Sequence, residues 1–256
     1  MDSLSHLFPQ RPAVIAHRGA CRRAPENTLE AFRLAFQMGA DAIELDVMLS
    51  RDGVPVVIHD LRVERTTDGT GRVQDLTWPE LRDLDAGAWF APAFRGARIP
   101  ELAVALEESA RSGWINIELK NYTTRGDGLE KVVVDLVGRM GLGRRVLLSS
   151  FNPLSLRAMA RLAPNVPRAL LTMESLPIYL RRGWFAFLAR PHAYNLHGGQ
   201  ANIRSVRRIR SRGARVCVWT VNDPAAAHRL HEAGVDGIIT DEPDTVLAAV
   251  GRTGRA

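Results

Sequence analysis

The chain alternates between short, continuous apolar runs and longer stretches in which apolar residues recur every three to four positions. Apolar runs of strand length are expected where a strand is covered on both faces, as in a parallel sheet. They lie at 14–18, 42–49, 54–59, 115–120, 146–150, 168–172, 193–197, 215–220 and 237–240. Segments of helical period lie at 28–38, 100–112, 128–140, 153–162, 176–188, 203–212, 224–233 and 243–250. Several carry start signals: Asn27-Thr28 with Glu30, Asn152-Pro153 and Asp223-Pro224. Each offers a side-chain acceptor where the first helical N–H groups lack partners. Gly39, Gly113, Gly141, Gly213 and Gly234 follow the helix ends, where a left-handed residue is wanted.

The runs 42–49 and 54–59 flank Asp52-Gly53, a short-range hairpin signal. Counting 54–59 as the return arm of that hairpin leaves eight strand–helix units. The pattern predicts an α/β fold, a (β/α)₈ TIM barrel in one domain over residues 12–250. A doubly wound sheet is the alternative. It would usually bring a Gly-x-Gly-x-x-Gly turn, which His17-Arg18-Gly19-Ala20 does not supply. Residues 61–98 break the alternation and are too long for an ordinary connection. They are expected to form an insertion after the second barrel strand, with a short helix near 78–84. Trp78, Trp89, Phe90 and Phe94 would give it a small core of its own.

Composition narrows the function classes. With 256 residues the chain can bury a large core. Its net charge of +6 comes almost wholly from arginine, since Lys120 and Lys131 are the only lysines. The basic residues are scattered, without aromatic interleaving, so no nucleic-acid partner is expected. Cys21 and Cys217 have neither metal spacing nor a disulfide framework, which suits a reducing compartment. Residues 1–11 lack a basic and then apolar leader, and no run of about 18 apolar residues exists. A cytoplasmic location is the expectation.

In a barrel the C-terminal ends of the strands supply the site. Polar residues gather there: His17 and Arg18, Glu44 and Asp46, His59, Glu118 and Lys120, Ser149 and Ser150, Asn195 and His197, Trp219 and Asn222, and Asp241. Glu44 and Asp46 are two apart on one strand and share a face, where two buried acids repel each other unless a cation intervenes. Singly, most of these residues have a plain structural explanation, such as a helix cap or an ion pair. Together, three acids, two histidines, an arginine and a lysine on one rim point to chemistry. Glu44, Asp46 and Glu118 suit a hard divalent ion, Mg²⁺ or Ca²⁺. Arg18 and Lys120 suit a phosphate. His17 and His59 suit a general acid and base pair. The combination points to phosphodiester cleavage.

The chain resembles the glycerophosphodiester phosphodiesterases. The matches are His17-Arg18-Gly19, Pro25-Glu26-Asn27-Thr28, the run from Gly39 to Val47 containing Glu44 and Asp46, Asp52-Gly53, His59-Asp60 and the run from Arg65 to Gly71. They continue with Ile99-Pro100, Glu118-Leu119-Lys120, Ser150-Phe151, the run from Trp219 to Asn222 and the run from Gly237 to Asp241. The resemblance implies a barrel with an insertion after strand two and a metal on Glu44, Asp46 and Glu118. It implies His17 and His59 as the catalytic pair, phosphate binding by Arg18 and Lys120, and a pocket lined by Trp219. The reaction implied is hydrolysis of a small glycerophosphodiester to glycerol 3-phosphate and an alcohol, in some members through a cyclic phosphate. Two departures touch no implied role: Leu61 stands where proline is frequent, and the next helix opens Pro100-Glu101-Leu102-Ala103-Val104.

Other readings compete. Residues 176–190 carry Ile178, Tyr179, Trp184, Phe185 and Phe187 with Arg181, Arg182 and Arg190. An outer barrel helix packed on the sheet is the favoured reading. The alternative is a weak peripheral contact with an anionic membrane, serving a lysophospholipase D. A glycosidase using Glu44 and Glu118 would leave both histidines and Arg18 without a role. A non-catalytic phosphate-binding barrel would leave every expected catalytic position filled for no purpose.

Overall fold

Eight parallel strands close into a barrel in the computed structural model, which describes residues 4–121, 126–181, 184 and 186–253. The strands are β1 (Ala13–His17), β2 (Ala42–Leu49), β3 (Pro55–Val57), β4 (Trp114–Leu119), β5 (Val146–Ser150), β6 (Arg168–Thr172), β7 (Ala193–His197), β8 (Arg215–Trp219) and β9 (Gly237–Thr240). Between them run α1 (Leu29–Gln37), α2 (Trp78–Arg82), α3 (Leu102–Ser109), α4 (Leu129–Arg139), α5 (Pro153–Leu162), α6 (Ile178–Arg181), α7 (Ala186–Ala189), α8 (Ile203–Arg210), α9 (Pro224–Glu232) and α10 (Pro243–Ala249). β9 pairs back on β1, which closes the circle. The remaining strand, β3, is the antiparallel arm expected from Asp52-Gly53. β2 is long enough for both partners: Ala42 to Val47 pair with β4, and Val47 to Leu49 with β3. Gly53 takes a φ of +80° in the turn, a conformation that costs glycine nothing.

Side chains alternate along each strand, and the register stacks the inward set in layers. Ile15 is level with Ala42 and Ala42 with Trp114; His17 with Glu44 and Glu44 with Asn116; Asp46 with Glu118 and Glu118 with Ser149. The lowest layer is apolar and the upper two are polar, so the strands deliver their polar residues to one mouth. The other set, including Ile43, Leu45, Ile115, Ile117 and Leu148, is buried in the shell of helices.

The bottom of the barrel is filled by a segment that shows no periodicity in the sequence. Leu4, Leu7 and Phe8 are buried with Ile15, Trp114, Leu147, Cys217 and Ile239. Phe8 meets Trp114 edge to face at 5.1 Å. Phe8→Ala is expected to cost about 3–5 kcal/mol by urea denaturation; a loss below about 1 kcal/mol would mean that the segment does not seal the barrel.

Two expectations need correction. Residues 176–188 form not one helix but α6 and α7. Ala186 and Ala189 face the core, whereas Trp184 is 57% and Phe187 is 70% exposed. Arg182 and Phe185 lie outside the described residues. In the insertion, the helix forms at Trp78–Arg82, and of the four aromatics only Trp78 packs against the private core, which is otherwise aliphatic, built from Val63, Val73, Leu81 and Ile99 against Met48 and Val56. Phe90 meets Trp89 and Phe94 edge to face, and Trp89 is 41% exposed.

Candidate active site

The turn after β1 shapes one side of the mouth. Arg18 and Gly19 both take positive φ, +54° and +82°. A Cβ at Gly19 would lie 2.6 Å from the backbone of Ala31, so only glycine lets this turn rest on α1. Thr28 caps α1 by accepting from the Ala31 amide. Asn27, at φ +58°, donates its side-chain amide to Asp46 Oδ2 at 2.9 Å, and the Asp46 amide donates back to Asn27 Oδ1 at 3.3 Å. The Arg18 amide donates to Glu44 Oε2 at 3.1 Å. The turn thereby grips both acids of β2.

Glu44, Asp46 and Glu118 are buried, with one ligand oxygen from each within 4.8 Å of the others. Burial and the charges of Asp46 and Glu118 push the Glu44 carboxyl well above its ordinary range. Burial raises Glu118 too, against the pull of Lys120. Asp46 is buried as deeply, yet Lys120 and Arg18 hold it below its ordinary range. Lys120 Nζ lies 3.3 Å from Asp46 and 3.1 Å from Glu118, and Arg18 Nε lies 3.3 Å from Asp46. Side-chain cations thus stand beside the acids where positive charge is needed. An all-oxygen set of three crowded carboxylates fits a hard divalent ion such as Mg²⁺ or Ca²⁺.

The histidines share one arrangement. His17 Nδ1 lies 2.7 Å from Asp241 Oδ1, and His59 Nδ1 lies 2.6 Å from Asp60 Oδ1. A carboxylate on Nδ1 fixes the ring and leaves Nε2 for other work. Each carboxylate is itself anchored: Asp241 by Asn222 Nδ2 at 2.7 Å, Asp60 by Arg65. Arg65 lowers the Asp60 carboxyl to about 2. Arg65 also forks onto Glu26 at 2.7 and 2.8 Å, and Glu26 takes Arg18 Nη1 at 2.8 Å. A continuous ionic chain therefore links His59 to Arg18 and the acids. Burial lowers the His59 pKa, with Lys120 and Arg18 adding to it against Asp46.

His17, Arg18, Glu44, His59, Glu118, Lys120 and Trp219 line one cavity of about 520 Å³. Asp46 lies beneath it, 1% exposed. All eight residues singled out in the sequence thus converge. Leu61, Phe151, Leu171 and Met173 form an apolar wall. Trp219 is fixed there by a bond from Nε1 to the Asn195 carbonyl at 3.0 Å and by edge contacts with Phe151 and His197. Arg18 and Lys120 face carboxylates here, so a bound anion would share them with those acids.

The profile of the glycerophosphoryl diester phosphodiesterase family matches residues 17–245. The chain belongs to this family. Among its relatives, the glycerophosphodiester phosphodiesterase of Caldanaerobacter subterraneus subsp. tengcongensis is 41% identical over 244 residues, covering 94% of this chain and 98% of that one. The solved Oleispira antarctica phosphodiesterase in complex with the product sn-glycerol-3-phosphate superposes with a TM-score of 0.84 at 32% identity, covering 98% of this chain and all of that one. A glycerophosphodiester phosphodiesterase structure from Agrobacterium tumefaciens gives 0.79 at 34% identity, covering 92% of this chain and 98% of that one. The family is one of hydrolases.

In this member of the family, several residues around the candidate site have no part in it that the sequence alone assigns: Asp241, Asn222, Asp60, Glu26, Asn27 and Arg65. Asp60 is signalled by its place beside His59, and Glu26 and Asn27 by their motif. Asp241 is 224 residues from its partner His17, and no local pattern announces that pairing. Asp241→Asn is expected to lower kcat by roughly 10–100-fold with little change in KM, because it frees the His17 ring without touching substrate. Steady-state kinetics check it; a change confined to KM would remove the positioning role.

Proposed function

We propose that the chain hydrolyses small glycerophosphodiesters to glycerol 3-phosphate and an alcohol, with a divalent cation held by Glu44, Asp46 and Glu118. The observation that carries this reading is the pairing, in one cavity, of a three-carboxylate cluster with two histidines that each commit Nδ1 to a carboxylate. Mg²⁺ or Ca²⁺ would supply Lewis-acid stabilisation of charge on the phosphoryl oxygens. Arg18 and Lys120 bind the phosphate and offset the same charge. One histidine takes the proton of the attacking oxygen, either a glycerol hydroxyl or water, as the new P–O bond forms. The other gives a proton to the departing alcohol as its P–O bond breaks. Trp219 and the apolar wall supply the apolar part of the pocket lining. Two free cysteines, Cys21 and Cys217, suit a reducing cytoplasm as the place of action.

Release of glycerol 3-phosphate from glycerophosphocholine, glycerophosphoethanolamine and glycerophosphoglycerol tests the reading. No release from any of them with either cation would overturn it. Lysophospholipase D action is the less favoured reading, since the relatives described above carry the glycerophosphodiester name. Its support is the apolar wall and the exposed Ile178, Tyr179, Trp184 and Phe187 beside Arg181 and Arg190. No helix among the described residues is long and apolar enough to cross a membrane, so such a contact would be peripheral. It predicts co-sedimentation with phosphatidylglycerol vesicles that high salt reverses; equal recovery with and without vesicles would remove it.

A further inference from the structure

A second group of metal-ligating side chains lies beside the carboxylate cluster and has a different chemistry. One ligand atom each of His17, Cys21 and Asp241 lies within 4.8 Å of the other two. Cys21 Sγ donates to Asp241 Oδ1 at 3.1 Å, and His17 Nδ1 meets the same oxygen at 2.7 Å. Two protons, one on sulfur and one on nitrogen, therefore converge on a single carboxylate oxygen.

The dimensions fit a tetrahedral ion. With Zn–S of about 2.3 Å and Zn–N and Zn–O of about 2.0 Å, tetrahedral angles put neighbouring ligand atoms roughly 3.3–3.6 Å apart. The sulfur and nitrogen need to draw back from Asp241 Oδ1 by less than about 1 Å to reach that spacing. One sulfur, one imidazole nitrogen and one carboxylate select Zn²⁺ over the hard ions that suit Glu44, Asp46 and Glu118. Asn222 already holds Asp241 Oδ2 at 2.7 Å, as an anchor behind a ligand should. The His17 and Asp241 side chains are each 18% exposed, which leaves a path from solvent and a fourth position for water. Arg22, 61% exposed, lies 4.0 Å from Asp241 and 3.7 Å from Glu242, so it can leave Asp241 and keep its other carboxylate partner.

We propose that His17, Cys21 and Asp241 form an inhibitory Zn²⁺ site. Binding forms Zn–S, Zn–N and Zn–O bonds without any change of oxidation state. The Cys21 thiol proton leaves to water. The imidazole proton moves from Nδ1 to Nε2, because Nδ1 now gives its electron pair to the ion. Nε2, the nitrogen that the Asp241 contact leaves open, then carries a proton and cannot accept one, so His17 can no longer act as the base. The ring is also pinned by the ion. The loss of activity rests on the function proposed above, whereas metal binding by these three residues does not.

Cobalt(II), a spectroscopic stand-in for Zn²⁺, reads the binding directly. Titration of the protein in excess Mg²⁺, which occupies the carboxylates, is expected to give a near-ultraviolet thiolate-to-cobalt band that saturates near about one equivalent. Cys21→Ser should lack the band while keeping basal turnover, since a serine hydroxyl still donates to Asp241. With Mg²⁺ in excess, Zn²⁺ should inhibit the native protein at concentrations at least about tenfold below those needed for Cys21→Ser. A band that persists in Cys21→Ser, or no band in the native protein, overturns the site. Equal inhibition of both proteins places the inhibitory ion on the carboxylates and overturns the proposal as well. If the protein turned over no glycerophosphodiester, the cobalt spectrum would still decide the binding.

Discussion

His17→Ala and His59→Ala are each expected to reduce kcat for glycerophosphocholine by about 10²–10⁴-fold while changing KM only a few-fold. The size follows from the proton transfers, since each ring moves a proton at the moment a P–O bond forms or breaks, and water is a poor substitute. The selectivity for kcat follows from the surroundings. Without the His17 ring, Asp241 keeps Asn222 and Cys21 as donors. Without the His59 ring, Asp60 keeps Arg65. Neither substitution strands a buried charge, so the fold and the phosphate contacts of Arg18 and Lys120 should persist. The double variant should lose little more than either single one, since the two rings serve one event. Pre-steady-state and steady-state rates check this. Full activity in either variant would remove the acid and base assignment.

Chelation should abolish turnover, and the stability of the protein should report the same site. Glu44 and Glu118 bind protons more tightly folded than unfolded, where the ordinary value is 4.5. Such a group contributes stability that is complete below that unfolded value and lost as pH rises through the folded one. Asp46 has the opposite sign: its contribution is present above its ordinary 3.8 and is lost only as pH falls below that. The metal-free protein should therefore gain Tm as pH falls towards the ordinary carboxylate range and Glu44 takes up its proton. A divalent ion removes the same repulsion without a proton, so Mg²⁺ or Ca²⁺ should raise Tm more at the higher pH. Glu44→Gln should raise the Tm of the metal-free protein at the higher pH, abolish the added stability from metal and abolish turnover. Scanning calorimetry with and without chelator measures both Tm effects, and the glycerol 3-phosphate assay measures the third. A metal-independent Tm would argue against a cation among these acids.

The barrel and its mouth are legible in the sequence because both are written in period two. A strand such as 42–49 places Ala42, Glu44 and Asp46 on one face, and the register simply lays the neighbours beside them. The eight site residues follow from that rule and from the family resemblance. What escaped has no period. Leu4, Leu7 and Phe8 are buried because they fill the barrel floor, which a reading of the local chain does not contain. Residues 176–190 carry a helical pattern, but among the described residues it is Ala186 and Ala189 that sit against the core, and the stretch forms two short helices. Asp241 and Glu26 matter through charge pairs between distant segments, and charge carries no periodicity from which a partner can be read.

The turn after β1 also has a consequence for evolution. Arg18 and Asn27 hold left-handed backbone at φ +54° and +58°, although neither is glycine. For an ordinary side chain that conformation costs about 1–2 kcal/mol, and less for Asn. Glycine would relax both positions. At 18 it would delete the guanidinium that reaches Glu26 and Asp46, and at 27 the amide that holds Asp46. Selection for robustness and selection for turnover therefore pull these two positions in opposite directions. Directed evolution for heat resistance alone would drift towards a sturdier, idle barrel.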